Sequence, residues 1–397
     1  MTYTHTIVGA GIVGLATGIK LIGKNPEARI LIIEKESGIA KHQTGNNSGV
    51  IHSGIYYKPG SLKAKNCRAG YKMLLEFCDE NKVKYELCGK VIVAVNDTEL
   101  PQLGKIYDRG VENGLENLKK LSAPELKNYE PNVNGVGGIF VPQTGIINYS
   151  EVCDKMHQLL LDKGVVFRFG EKVVDIKNIK PIEIKTNKQS YYSEYLITCA
   201  GLYSDKLAGM TEEDLRFRII PFRGEYYKLK PDRKSLVNNL IYPVPNPDFP
   251  FLGVHFTRMI NGQVECGPNA VFAFKKEGYK KFDFSISETF DSLFWPGFRK
   301  VALKYWRTGL GEFYRSFSKK AFVKALQKLL PVIDENDLIP AAAGVRAQAC
   351  DKDGGLLDDF YILENKNILH VCNAPSPAAT SSLAIGDYIA NKVLISN

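Results

Sequence analysis

Apolar positions fall into short runs at both ends of the chain, with helical spacing between them. YTHTIVG (3–9) and ARILIIE (28–34) have strand length, and the residues from the intervening GAGIVG to about Lys24 repeat at helical intervals. A polar, glycine-rich segment from Ser37 to Gly60 follows, and a helix pattern resumes over 61–80. Near the other end, YLITCAGLYSDKL (195–207) and NILHVCNAPSPAATSSLAIGDYIANKVL (367–394) each read as a buried strand, a small-residue turn and a helix. FRIIPFRGEYYKLK (217–230) and residues 251–273 read as strands. Within the latter, Asn261-Gly262 signals a two-residue hairpin that pairs 260 with 263 and sets His255 opposite Pro268. The proline-rich YPVPNPDFPF (242–251) is interleaved with aromatics, as in a packed loop rather than a linker.

The first turn carries chemistry. Gly9, Gly11 and Gly14 fit GxGxxG between a strand and a helix, and Glu34 closes the next strand 20 positions after Gly14. Gly9 permits the tight turn, Gly11 admits a pyrophosphate to the backbone and Gly14 lets helix and strand touch. The helix N-terminus offers free N–H groups and a partial positive charge. Glu34 can accept from ribose hydroxyls, with Lys35 beside it.

The motif does not separate NAD from FAD; the following segment does. A nicotinamide-binding unit would soon continue into another helix and strand, whereas a long polar loop is costly in entropy unless a ligand orders it. Thr44, Asn47, Ser48 and Gly49 supply donors and close backbone approach, as Asn46 does. The turns at Ala200–Gly201 and Ser376–Pro377–Ala378 belong to the same picture, and the last helix would aim its positive end at a reduced flavin. Both chain ends therefore build one FAD-binding lobe.

NSGVIHSGIYY (47–57), PFLGVHFTRMINGQVECGPNAV (250–271), AGVRAQ (343–348) and NAPSPAATSSLAIG (373–386), in that order, resemble the L-2-hydroxyglutarate dehydrogenase/oxidase family within the D-amino-acid-oxidase-like flavoproteins. The resemblance implies a mixed α/β fold: a Rossmann-type FAD lobe (1–82, 145–215 and 335–397) interrupted by a substrate lobe (83–144 and 216–334) with an antiparallel sheet and a helical cover. It also implies FAD as cofactor, a dicarboxylate substrate oxidised from L-2-hydroxyglutarate to 2-oxoglutarate, and adenine held at the backbone of Val173. A related flavoenzyme acting on an amino acid or glycerol 3-phosphate is the neighbouring reading, and a non-catalytic nucleotide-binding protein at a membrane surface the more distant one.

Oxidation of a 2-hydroxy acid needs a base for the hydroxyl proton and cations for the carboxylate. His5, His157 and His370 lie in strand or helix patterns and read as structural, and His42 sits in a polar loop. His255, beside a strand break, is the expected base. His52 either orients the isoalloxazine or serves as the base itself. Arg346 offers a guanidinium fork to one carboxylate and Tyr57 a hydroxyl. Arg223, Arg258 and Lys58 stand as unranked partners for the second carboxylate.

The chain has 397 residues and a formal charge of +9, which suits an anionic small molecule, an anionic lipid surface or nucleic acid. Its eight cysteines include no CxxC pair and no metal-ligand spacing, so they read as reduced cytosolic thiols without a metal. No secretion signal opens the sequence, and no apolar run approaches the roughly 20 residues of a membrane span. Residues 294–330, aromatic and basic, read as two helices split around Gly309 to Gly311: either a helical cover or a peripheral contact on the inner face of a membrane. The first choice goes with oxygen or a carrier as electron acceptor, the second with a quinone. No recognised module accompanies the stretch, so nucleic acid is not an expected partner.

Overall fold

The computed structural model describes residues 2–246 and 251–395. Strand β1 (Thr2–Val8), helix α1 (Ile12–Lys24) and strand β2 (Ile30–Glu34) form the expected unit. β1 lies parallel to β2, with Ile7 beside Ile32, and parallel to Ser190–Thr198 on its other side. Val166–Phe169 adds in parallel beyond β2, and Ile368–Asn373 pairs in parallel with Ser190–Thr198. Three further strands complete an eight-stranded mixed sheet, including Val173–Lys177. Its inner strands are apolar on both faces because α1, the Leu62–Asn81 helix and the Ala378–Ile395 helix cover one side and a smaller apolar cluster fills the other.

The two ends of the chain meet through close backbone packing. A Cβ on Gly386 of the last helix would stand 2.6 Å from the Ala16 carbonyl oxygen of α1, and one on Gly70 would stand 2.5 Å from Ser381 Cα. The C-terminal helix is thus wedged between α1 and the Leu62–Asn81 helix, and its residues Leu383, Ile389 and Val393 complete the core around Leu15 and Ile7.

A second eight-stranded sheet runs in the order 338–340, 227–229, 264–267, 255–258, 240–243, 90–94, 137–141, 119–122. It is antiparallel except where Leu240–Pro243 runs parallel to Lys90–Ala94. A three-stranded sheet pairs Phe217–Gly224 with Gly344–Asp351 and Val271–Phe272, setting Arg346 opposite Phe222. The polar segment after β2 is not wholly irregular: Val50–Ile51 pairs with Gly145–Ile147 and anchors its middle.

Two local expectations are corrected. The hairpin slips by one residue: Met259 and Gln263 form the last pair, Gly262 takes a left-handed φ of +78°, and His255 faces Gly267 rather than Pro268. A type I turn with a glycine bulge matches the strand twist with three loop residues as well as a two-residue turn does. The basic stretch is not split at Gly309–Gly311. One helix spans Pro296–Phe317, kinked at Tyr305, and the break falls at Ser318, whose hydroxyl caps the next helix, Lys319–Leu326, by accepting from Ala321 N–H. Glycine inside a helix costs only about 1 kcal/mol, too little to end a helix held by its neighbours. Of the proline-rich stretch, Tyr242 and Pro243 lie in a strand, and residues 247–250 are outside the described residues.

All eight cysteines are free. Among the described residues no helix is long and apolar enough to cross a membrane.

Candidate active site

A cavity of about 1280 Å³ runs from the glycine turn after β1 to the face of the second sheet. Gly9 and Gly11 line one end, and Glu34, Lys35, Thr44, Asn47 and Ser48 continue the wall. Val173, the Ala200–Gly201 turn and the Ser376–Pro377–Ala378 turn close its sides. Gly14 and Gly49 stand behind this wall. A Cβ on Gly14 would meet the Gly9 carbonyl oxygen at 2.0 Å, and Gly49, at φ +65°, presses on the Ile147 carbonyl.

The cradle suits a dinucleotide. No acidic side chain occupies the first turn of α1, so its partial positive charge is uncompensated. Thr44 Oγ1 accepts from Ile12 N–H at 3.1 Å, tying the polar segment to the helix start. The Glu34 carboxylate is fixed at the end of β2 by Ala10 N–H at 2.8 Å and Glu36 N–H at 2.9 Å. Asn47 Oδ1 accepts from Gly49 N–H at 2.7 Å and holds that loop's turn. Lys35 is engaged by Glu36 and by Glu277, the latter at 2.6 Å. His42 bridges Tyr279 and Glu36 in the same wall, and Gln43 Oε1 accepts from Ala347 N–H at 3.0 Å, joining the loop to the strand of Arg346. Neither His42 nor Gln43 was legible as a wall residue, because both depend on partners more than 200 residues away.

At the other end His52, Tyr57, His255 and Arg346 share the wall. The His255 Nδ1–H donates to the Gly253 carbonyl at 2.8 Å, which leaves Nε2 with the lone pair. Its ring lies 4.0 Å from that of Tyr242. Burial pushes His255 down to about 4, opposed by the Gly253 bond and aided by the Arg346 and Lys90 charges. His52, with Nε2 3.4 Å from Ser376 Oγ, is pushed down to about 3 by burial and then by Lys90, His255 and Lys63. Both imidazoles are therefore neutral at pH 7 and able to accept a proton.

Arg346 keeps Nη1 buried without a hydrogen-bond partner among the described residues, while its guanidinium lies 5.4 Å from the Phe251 ring. An unpaired buried donor on a cation is costly, so this atom is poised for an anionic ligand. Both members of the tyrosine pair line the cavity, and Tyr56 Oη is a buried hydroxyl with no partner among the described residues. Tyr56 thus offers an open donor beside the expected Tyr57. The three cations named for a second carboxylate do not reach the cavity: Arg223 pairs with Glu225 at 2.9 Å, Arg258 pairs with Glu86, and Lys58 is exposed. His5 stacks on Tyr195, His370 is held between Thr198 and Thr211, and His157 packs edge-on against Phe167, all as structural residues.

The model of the family described as FAD dependent oxidoreductase matches residues 5–392. L-2-hydroxyglutarate dehydrogenase of Indibacter alkaliphilus is 56% identical over 98% of both chains. The Escherichia coli K12 protein of the same name is 46% identical over 98% of this chain and 93% of its own, and the human mitochondrial one 45% over 99% and 89%. Among solved structures, FAD-bound L-alpha-glycerophosphate oxidase of Mycoplasma pneumoniae superposes with a TM-score of 0.81 at 23% identity, over 100% of this chain and 94% of its own, a likeness of fold. The chain belongs to the FAD-dependent oxidoreductase family, in the branch of the L-2-hydroxyglutarate dehydrogenases.

Proposed function

We propose that the protein oxidises L-2-hydroxyglutarate to 2-oxoglutarate, the substrate lying between His255 and Arg346. The 56% identity to a relative of that name supports the substrate, and the unpartnered Arg346 Nη1 beside a neutral His255 is the observation that carries the chemistry. FAD, held by the glycine turn, Glu34, Thr44, Val173 and the 376–378 turn, supplies the two-electron acceptor. His255 Nε2 takes the hydroxyl proton, since its other nitrogen is committed to Gly253. Arg346 pairs with a carboxylate through its open N–H groups, and Tyr56 and Tyr57 flank that anion. Holding the acid in one orientation contributes much of the rate, because aligned partners gain effective molarities of about 10⁵ to 10⁸ M. The division into an FAD lobe and a substrate lobe at the boundaries given above is part of this reading, except that Leu338–Pro340 pairs with Tyr227–Leu229 and goes with the substrate side.

The same proposal extends to the electron acceptor. Phe282, Phe294, Leu303 and Tyr314 are 86%, 70%, 77% and 67% exposed, interleaved with Arg299, Lys300, Lys304 and Arg307. This apolar, basic surface fits the interface of an anionic membrane. The Ile286–Leu293 helix turns Ser287, Glu288 and Asp291 to the cavity while Ile286, Phe290 and Leu293 are exposed, so a membrane quinone would have a short path inward.

Anaerobic mixing with the two enantiomers tests the function. L-2-hydroxyglutarate bleaches the flavin, whereas the D form, lactate and glycerol 3-phosphate do not. Faster bleaching by lactate or glycerol 3-phosphate would refute the substrate.

A further inference from the structure

Lys90 is the third position of CGKVIVAV, a lone charge in an apolar strand, and 1% of its surface is exposed. The Lys90–Ala94 strand is central in the second sheet, paired to Leu240–Pro243 on one side and Gly137–Val141 on the other, so the residue cannot swing out to water. Its ammonium lies 4.4 Å from the centre of the Tyr56 ring and 5.0 Å from that of Tyr242. Both rings line the cavity in front of it.

No carboxylate pairs with it among the described residues. The groups facing it are Tyr56, Tyr242, His52, His255 and, from the Leu62–Asn81 helix, Cys67. The Cys67 thiol is pushed up to about 12 by burial, and the imidazoles are pushed down, so all five are uncharged at pH 7. Lys63, another cation acting on His52 and Cys67, already pairs with Asp358 at 2.7 Å. A buried charge with no partner is costly, and two aromatic faces offset only part of that cost.

We propose that Lys90 is a positioning residue for an anionic substrate: its ammonium, caged behind Tyr56 and Tyr242, is the counter-charge that a dicarboxylate bound in front of those rings completes. This rests on the dicarboxylate reading of the same cavity. Without ligand, burial brings Lys90 down to about 7. A nearby carboxylate favours the charged form and raises it again, so binding above pH 7 draws one proton onto the enzyme. The positive charge also polarises the Tyr56 ring and strengthens the Oη–H as a donor to the same anion.

The test uses the flavin-loaded enzyme and glutarate, which has both carboxylates and no hydroxyl to oxidise, with binding read from the flavin spectrum between pH 6 and 9. For wild type the affinity weakens as pH rises above 7, approaching tenfold per pH unit. His52, His255 and Cys67, the titratable groups facing Lys90, lie outside that window, as does glutarate itself. Lys90→Met binds about tenfold or more weakly at pH 6 and loses the pH dependence, while Lys90→Arg, which stays charged, keeps tight binding up to pH 9. Butyrate, with one carboxylate, shows a smaller effect of each variant. Glutarate binding to Lys90→Met with the wild-type pH profile would overturn the role of Lys90 alone. Glutarate that leaves the wild-type flavin spectrum unchanged at every pH would overturn the dicarboxylate reading and this inference with it. Should Lys90→Met fail to fold, Lys90→Arg decides: a wild-type decline above pH 7 in that variant refutes the assignment.

Discussion

Gly14→Ala probes the cradle at the point where packing and cofactor binding depend on the same atom. The added Cβ falls 2.0 Å from the Gly9 carbonyl oxygen, 3.2 Å from Gly9 C and 3.4 Å from Ile7 Cγ2. Carbon–oxygen contacts in packed interiors sit at about 3.3 Å or more, so α1 must retreat from β1 by about 1.3 Å. The nearest atoms are backbone at the end of an inner strand and cannot rotate aside, which puts the overpacking cost at the upper end of the usual range, about 3 kcal/mol. Gly23, in the last turn of the same helix, has nothing within 4 Å of its Cβ, so Gly23→Ala is expected to stabilise by up to about 1 kcal/mol through helix propensity alone. The two alanines on one helix should therefore differ by about 4 kcal/mol, roughly three decades in the folded-to-unfolded ratio. Denaturant unfolding midpoints measure the difference, and flavin retained after gel filtration measures the cradle, since the displaced helix start no longer presents its N–H groups to the pyrophosphate. Equal midpoints and equal flavin content in the two variants would refute the reasoning.

Three further outcomes are expected. His255→Gln lowers the anaerobic flavin-reduction rate by about 10² to 10⁴-fold with little change in KM. The wild-type rate falls as pH drops through about 4, where the depressed imidazole gains its proton, and retention of a wild-type rate in His255→Gln with loss in His52→Gln would transfer the role of base to His52. Arg346→Met removes a charged hydrogen-bond donor worth about 1.5–3 kcal/mol, raising KM roughly 10- to 100-fold, and Arg346→Lys restores part of it; an unchanged KM would place the carboxylate elsewhere. Phe294→Ser with Trp306→Ser abolishes pelleting with anionic vesicles at low salt, while absence of pelleting by the wild type itself would remove the membrane proposal.

Local patterns were readable wherever the responsible interactions are close in sequence. The strand, glycine turn, helix and Glu34 were placed because each follows from backbone sterics or periodicity within 34 residues, and the bounds of α1 agree with expectation at Lys24. The strands and helices at 195–207 and 367–394 were legible for the same reason. Slips occurred where two local solutions have similar energy. At Asn261-Gly262 a three-residue bulged turn replaces the two-residue one, and in the basic helix Gly309 and Gly311, with no atom within 4 Å of an added Cβ, cost too little to interrupt it.

By itself the sequence determined the fold class, the meeting of both chain ends around one sheet, and the family, since these rest on periodicity, turn stereochemistry and motifs. Only the tertiary structure decided which donors remain unpaired. It left the Tyr56 hydroxyl open, turned Arg223 and Arg258 to carboxylates away from the cavity, and set Lys90 behind aromatic faces beside two neutral histidines. The reason is electrostatic: a side chain's charge state and free valence depend on how much water and how many partners the whole fold brings within a few ångströms, and strands distant in sequence supply those partners.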